Sequence, residues 1–210
     1  MAKWRFLDRL GQWWNDTVGK LVPRLQLRRW ADRSIDAAPI AQWASDLAAD
    51  RLTVGQWEAQ MRAEIKAEMI RQYIVGRGGL DKMTARDWGS IGGMCKEQFS
   101  YLSKFSREIA AGNLTEGQIA RRMAMYINSC REAYERAQER AAKEAELDEV
   151  RWVMDPEAEH CTGDPGCTEL AALGWQKVVD DPFGGRVCGD GKTPCKTACR
   201  CHREFRRGRG

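Results

Sequence analysis

Apolar residues over the first 150 positions recur three and four apart, the period of helices with one buried stripe. Residues 4–30 place Trp4, Leu7, Leu10, Trp14, Val18 and Leu21 on one stripe, and Pro23 can open a second helix through Leu25 and Trp30. Three further helix starts share one signal: Leu52-Thr53-Val54-Gly55-Gln56-Trp57, Met83-Thr84-Ala85-Arg86-Asp87-Trp88 and Leu114-Thr115-Glu116-Gly117-Gln118-Ile119. Each has Thr at the N-cap and a side-chain acceptor three residues on. That is the capping-box pattern, fully formed in the two Gln cases. The equal spacing of Thr53, Thr84 and Thr115 reads as three helices of similar length, not as a repeat, because the residues after each cap do not match.

The helix from Thr53 is predicted to run to about Ile74, with Met61, Ile65, Met69 and Ile70 inward, before Gly76-Arg77-Gly78-Gly79 breaks the chain. The next is predicted to be interrupted at Gly89, Gly92 and Gly93. It resumes through Phe99, Leu102, Phe105 and Ile109, and ends at Gly112-Asn113. The last starts at Thr115, carries Ile119, Met123, Tyr126, Ile127, Cys130 and Tyr134, and continues as a charged, Ala-rich rod from Glu135 to Glu149. Such a rod is expected in solvent or along a neighbouring subunit.

The pattern changes at Arg151. Apolar runs shorten to Arg151-Trp152-Val153-Met154, Lys177-Val178-Val179 and Gly185-Arg186-Val187, read as short strands between turns. The fold class expected is therefore α+β. Amphipathic, Trp-rich docking helices occupy 1–36, a helical domain 37–150, and a small Cys-rich domain with a basic tail 151–210. So short a terminal unit cannot build much of a core unaided and needs staples.

Composition narrows the class. Nine Trp can bury large areas, which argues against wholesale disorder. No apolar run approaches the roughly 18 residues of a membrane span, and the first residues show no secretory h-region. A reducing compartment is therefore expected. The net charge of +4 comes from two basic ends on a near-neutral middle. At the C-terminal end, Arg203, Arg206, Arg207 and Arg209 are candidates for sequence-blind contact with phosphates, set against the plainer reading of a solvated terminus.

Six of the eight cysteines lie in the last 50 residues, with both histidines, His160 and His202, beside or among them. Cys161 and Cys167 flank the turn Thr162-Gly163-Asp164-Pro165-Gly166; Cys195 and Cys199 flank a second short turn. Two such pairs separated by a loop are a usual format for tetrahedral zinc. The simplest site is Cys161, Cys167, Cys195 and Cys199, with Cys188, Cys201 and His160 as alternates. Disulfides are the rival reading. Cys95 and Cys130 fall on apolar helical faces and read as ordinary buried thiols. No His-Glu-x-x-His motif, deaminase signature or complete phosphate loop is present, and two histidines leave little for a catalytic triad. An enzyme is not expected, nor a small-molecule substrate.

The layout resembles the phage head-morphogenesis proteins, the family of minor capsid proteins that includes phage Mu's F protein and other portal-associated head proteins. The resemblance is carried by Trp152, then Cys161 and Cys167, then Leu170-Ala171-Ala172-Leu173-Gly174-Trp175, then Pro182 to Gly185, and a closing Cys199-Arg200-Cys201. Upstream, Leu114-Thr115-Glu116-Gly117-Gln118 through Arg122, Tyr126 and Tyr134 looks like that family's last long helix. The chain departs from the family pattern in its Cys-x5-Cys pair, in Cys195 standing near where a histidine is usual, and in the extra Cys188. What the resemblance implies is a structural head protein of the virion, in the capsid interior or shell and assembled in the host cytoplasm. It implies contact with the portal protein or major capsid protein and with packaged DNA. The amphipathic stripe Trp4, Leu7, Leu10 and Trp14 suits docking on such a partner rather than on a membrane. The alternative is a zinc-bearing nucleic-acid-binding module acting in DNA packaging or regulation.

Overall fold

The computed structural model describes residues 38–163 and 165–208. The helices α1 (Ala38–Ala48), α2 (Val54–Arg77), α3 (Ala85–Ala110), α4 (Glu116–Ser129) and α5 (Arg131–Glu144) precede β1 (Glu149–Val153), α6 (Cys167–Ala172), β2 (Gln176–Lys177) and β3 (His202–Arg206). The fold is α+β: a helical region followed by a small sheet and a Cys-rich segment. None of the described helices is long and apolar enough to cross a membrane.

All three predicted caps form. Thr53 Oγ1 accepts from Gln56 N–H at 3.2 Å while Gln56 Oε1 accepts from Thr53 N–H at 3.0 Å. Thr115 and Gln118 repeat the exchange at the start of α4. The box at Thr84 is complete as well, with Asp87 in the Gln role. Each cap satisfies otherwise orphaned backbone donors, a contribution of about 1 kcal/mol. Asp87 also takes the Tyr73 hydroxyl at 3.1 Å and lies 3.4 Å from Arg77 and 3.2 Å from Arg140. A helix cap thereby becomes a tie between α2, α3 and α5.

Three expectations for the helices are corrected. First, α2 runs on through Gly76 to Arg77. It stops at Gly78, whose φ of +84° lets Gly78 N–H reach Val75 O and Gly79 N–H reach Ile74 O, both at 3.0 Å. Gly76 is a contact residue: a Cβ there would meet Tyr134 O at 2.5 Å and Ala137 Cβ at 2.6 Å, so its absence lets α2 and α5 cross closely.

Second, α3 is unbroken. Gly89, Gly92 and Gly93 all face solvent, while Ile91, Cys95, Leu102 and Phe105 bury the opposite face and hold the helix through them. Third, the last helix is two. It breaks at Cys130, where the Ser129 hydroxyl donates to Tyr126 O at 2.6 Å and the Cys130 thiol points at Ile65 O and Tyr126 O. Such side-chain bonding to the preceding turn bends helices. The predicted rod then ends at Glu144 and gives way to β1. It packs on α2 within the same chain through Ala133 and Ala137, whose small side chains give no hydrophobic period strong enough to read.

The helical core centres on Trp57, wholly buried, edge-on to Phe105 at 5.5 Å between ring centres, with Phe105 stacked on Tyr126 at 5.9 Å. A second core lies in the C-terminal segment, built of Val150, Trp152, Leu170, Phe183 and four buried cysteines, with Trp152 edge-on to Phe183 at 5.5 Å.

The sheet is antiparallel in the order β2-β1-β3, with Trp152 opposite Arg203 and Val150 opposite Phe205. Three expectations for this segment are corrected here. Of Lys177-Val178-Val179 only Lys177 joins a ladder, and Val178–Asp180 forms a 3-10 turn. Residues Gly185-Arg186-Val187 leave a turn in which Gly184 and Gly185 take φ of +58° and +68°, and they form no ladder. The third strand is instead His202–Arg206, the segment read as tail; its pairing with β1 is a long-range choice that no local pattern announces.

Candidate metal centre

Two loops and one strand end bring the thiols together. Cys161 precedes a tight turn closed by Gly166 N–H to Gly163 O at 2.9 Å, and Cys167 opens α6, its N–H donating to Cys161 Sγ at 3.3 Å. Gly163, at φ +147°, leaves room for the ring of Pro194: a Cβ would meet Pro194 Cγ at 2.8 Å. That close approach docks the first loop on the second. In the second, Lys196 N–H bonds Thr193 O at 2.8 Å and Lys196 adopts φ +51°, turning Cys195 and Cys199 to the same side. Cys201 enters as the chain straightens into β3.

The result is a cluster of sulfurs. Cys161, Cys167 and Cys195 lie within 4.8 Å of one another, and so do Cys167, Cys199 and Cys201. Cys167 Sγ is 3.6 Å from Cys195 Sγ and 3.6 Å from Cys199 Sγ. Every cysteine of the chain is a free thiol. A tetrahedral ion with zinc–sulfur bonds of about 2.3 Å sets its sulfurs about 3.8 Å apart, so the cluster has the spacing a soft ion requires and could hold one. Cys188, fully buried, adjoins Cys199, and His160 Nδ1 is 3.9 Å from Cys201 Sγ. Of the residues named from spacing, Cys161, Cys167 and Cys195 form one set. Cys199 pairs with Cys201 in the other, around the shared Cys167.

The electrostatics divide these thiols. Burial pushes the Cys188 thiol well up, with the adjoining Cys199 adding to the rise. Burial likewise raises Cys195 to about 12. Cys199 is held below the usual thiol range because Cys167, Cys188 and Cys201 all turn toward its sulfur. At Cys161, burial is outweighed by the Cys167 N–H and the neighbouring Cys195, so its thiolate is favoured. Thr193 Oγ1 lies 3.2 Å from Cys195 Sγ. The indole N–H of Trp152 is buried and faces the Cys201 sulfur. A thiolate at Cys201 is a much better acceptor for it than a thiol.

Arg131, at the start of α5, donates to the carbonyl of Cys199, and its stem packs against Gly189, 3.3 Å from where a Cβ would stand. This residue carries no spacing signal in the sequence; its role follows from the helix break at Cys130. Outside the cluster, Cys95 and Cys130 are buried among apolar groups, and burial raises both thiols. His202 is on β3, 3.5 Å from Glu204.

The basic end is redistributed by the third strand. Arg203 is turned inward, its guanidinium 3.3 Å from Glu135 and 3.1 Å from Glu139. Arg206 donates to Glu149 at 2.7 Å and lies over Trp175 at 4.1 Å, with Arg151 also over that ring at 4.7 Å. Arg207 is exposed, 3.6 Å from Glu146. Arg203, one of the candidate phosphate contacts, thus faces α5, and its partners there lie out of reach of any local pattern. Trp4, Leu7, Leu10, Trp14 and Arg209 lie outside the described residues. No family model matches the chain, and no curated protein or solved structure matches it.

Proposed function

We propose that this protein is a structural minor head protein of a tailed bacteriophage, acting in head morphogenesis rather than in catalysis, with a C-terminal unit stapled by structural zinc. What supports the reading is one arrangement. The Trp152 strand, the Cys161–Cys167 turn and the closing Cys199-Arg200-Cys201, the motifs that carry the resemblance, meet at a single sulfur cluster. All-thiolate coordination is the chemistry of structural zinc, whereas catalytic sites keep an open position and usually a mixed ligand set. In this proposal the stripe Trp4, Leu7, Leu10 and Trp14 docks on the portal or the major capsid protein. Contact with packaged DNA rests on the exposed Arg207 and on Arg209 more than on Arg203, whose guanidinium is buried beside Glu135.

The test is mass spectrometry of purified heads and of their assembly precursors from the phage that encodes this chain. The chain is expected in both, and its absence from both overturns the proposal. Trp4→Ala with Trp14→Ala is expected to lower its incorporation while leaving the protein folded.

A further inference from the structure

We infer that the cysteine cluster holds two metal ions, not one, joined through the Cys167 sulfur. This rests on the zinc reading above and goes beyond it in number and connectivity.

A single tetrahedral ion needs four sulfurs that are all mutual neighbours, at about 3.8 Å. Among the described residues, the largest mutually close sets within 4.8 Å are triads: Cys161, Cys167, Cys195 and Cys167, Cys199, Cys201. Each triad is one face of a tetrahedron, and the two share one corner. Cys167 sits at that corner, 3.6 Å from a sulfur of each set. One ion placed on either triad leaves the remaining thiols of the other close together with nothing to bind them.

The surroundings fit two ions. Cys188 is buried against Cys199 and offers a further sulfur to the second triad, with His160 at 3.9 Å from Cys201 as the nitrogen alternative. Six thiols used once each fall short of the eight bonds of two four-coordinate ions; Cys167, the thiol placed between the triads, raises the count to seven when shared, and the eighth bond falls to His160 or to solvent. Sharing also lowers the net negative charge buried per ion, since one thiolate serves two cations. Nearby donors suit the remaining thiolate charge: the Cys167 N–H toward Cys161, the Trp152 indole N–H beside Cys201, and Arg131 at the Cys199 carbonyl. On binding, each thiol loses its proton to solvent and its sulfur bonds the ion.

The experiment uses the full chain, produced under reducing conditions with zinc present. Metal content is measured against protein concentration, and the zinc is then replaced by cadmium-113 for NMR. Two ions per chain are expected, with two cadmium resonances and the Cys167 β-protons coupled to both. One ion per chain overturns this inference and leaves the zinc reading standing; no ion overturns both. Two ions with no cysteine coupled to both overturns the shared sulfur. Cys201→Ser is expected to reduce the content to one ion per chain. Should that variant fail to fold, the unaltered chain's stoichiometry and couplings still decide.

Discussion

Arg203 on β3 donates to the backbone carbonyl of Glu135 on α5 at 2.8 Å, and its guanidinium lies 3.3 Å from the carboxylate of the same residue. Glu135 is 1% exposed. The sheet and the helical region are therefore joined by a desolvated ion pair, not only by apolar contact. Removing one partner of such a pair strands the other charge in a dry site, a cost of about 3–5 kcal/mol. Arg203→Ala is expected to lower stability by that order in urea titration, with little change in DNA affinity. A variant of unaltered stability that loses salt-sensitive DNA binding would restore Arg203 to the phosphate-contacting set.

The two kinds of glycine in the helices predict opposite outcomes. Gly76→Ala places a Cβ at 2.5 Å from Tyr134 O, forcing α2 and α5 apart. Overpacking of this kind costs about 1–3 kcal/mol, more than the roughly 1 kcal/mol that Ala brings to a helix interior. Gly92→Ala meets nothing within 4 Å on the exposed face of α3 and should stabilise by about 0.5–1 kcal/mol. Thermal melts of the two variants check both signs.

Asp148 is held down to about 2 by the Lys177 ammonium at 2.7 Å, with the Gly208 N–H at 2.6 Å adding to it. A depressed carboxylate stabilises the folded state above its unfolded value, 3.8, and that contribution is lost as pH falls toward about 2. The anchoring of β2 and of the chain after β3 is therefore expected to weaken below pH 4. Lys177→Ala should move the Asp148 titration upward, read by carboxyl NMR; an unmoved titration refutes the assignment of cause.

With zinc bound as proposed, a strong chelator should unfold the C-terminal unit selectively, because cysteines make up half of its small buried core whereas the helical core contains none of the cluster thiols. Amide exchange is expected to rise sharply in 149–206 and to stay slow in the α2 interior. Unchanged exchange in both regions would show that the unit holds without metal.

The sequence by itself determined the helix starts, the α+β division and the location of the sulfur chemistry. Those signals are local: a Thr with its acceptor three residues on, an apolar stripe, cysteines flanking a turn. It did not determine where helices pass through glycine or break without it. Gly92 survives because the far face of α3 is buried, and Cys130 ends a helix through side-chain bonds into the preceding turn. Nor did it determine the third strand. His202 to Arg206 reads as a charged tail until β1 pairs with it and α5 supplies Glu135 and Glu139. The grouping of the thiols was decided at the same level. Spacing names the cysteines that can turn toward one another, but only the docking of Gly163 on Pro194 sets Cys167 between Cys195 and Cys199, since contacts between distant segments leave no period in the chain.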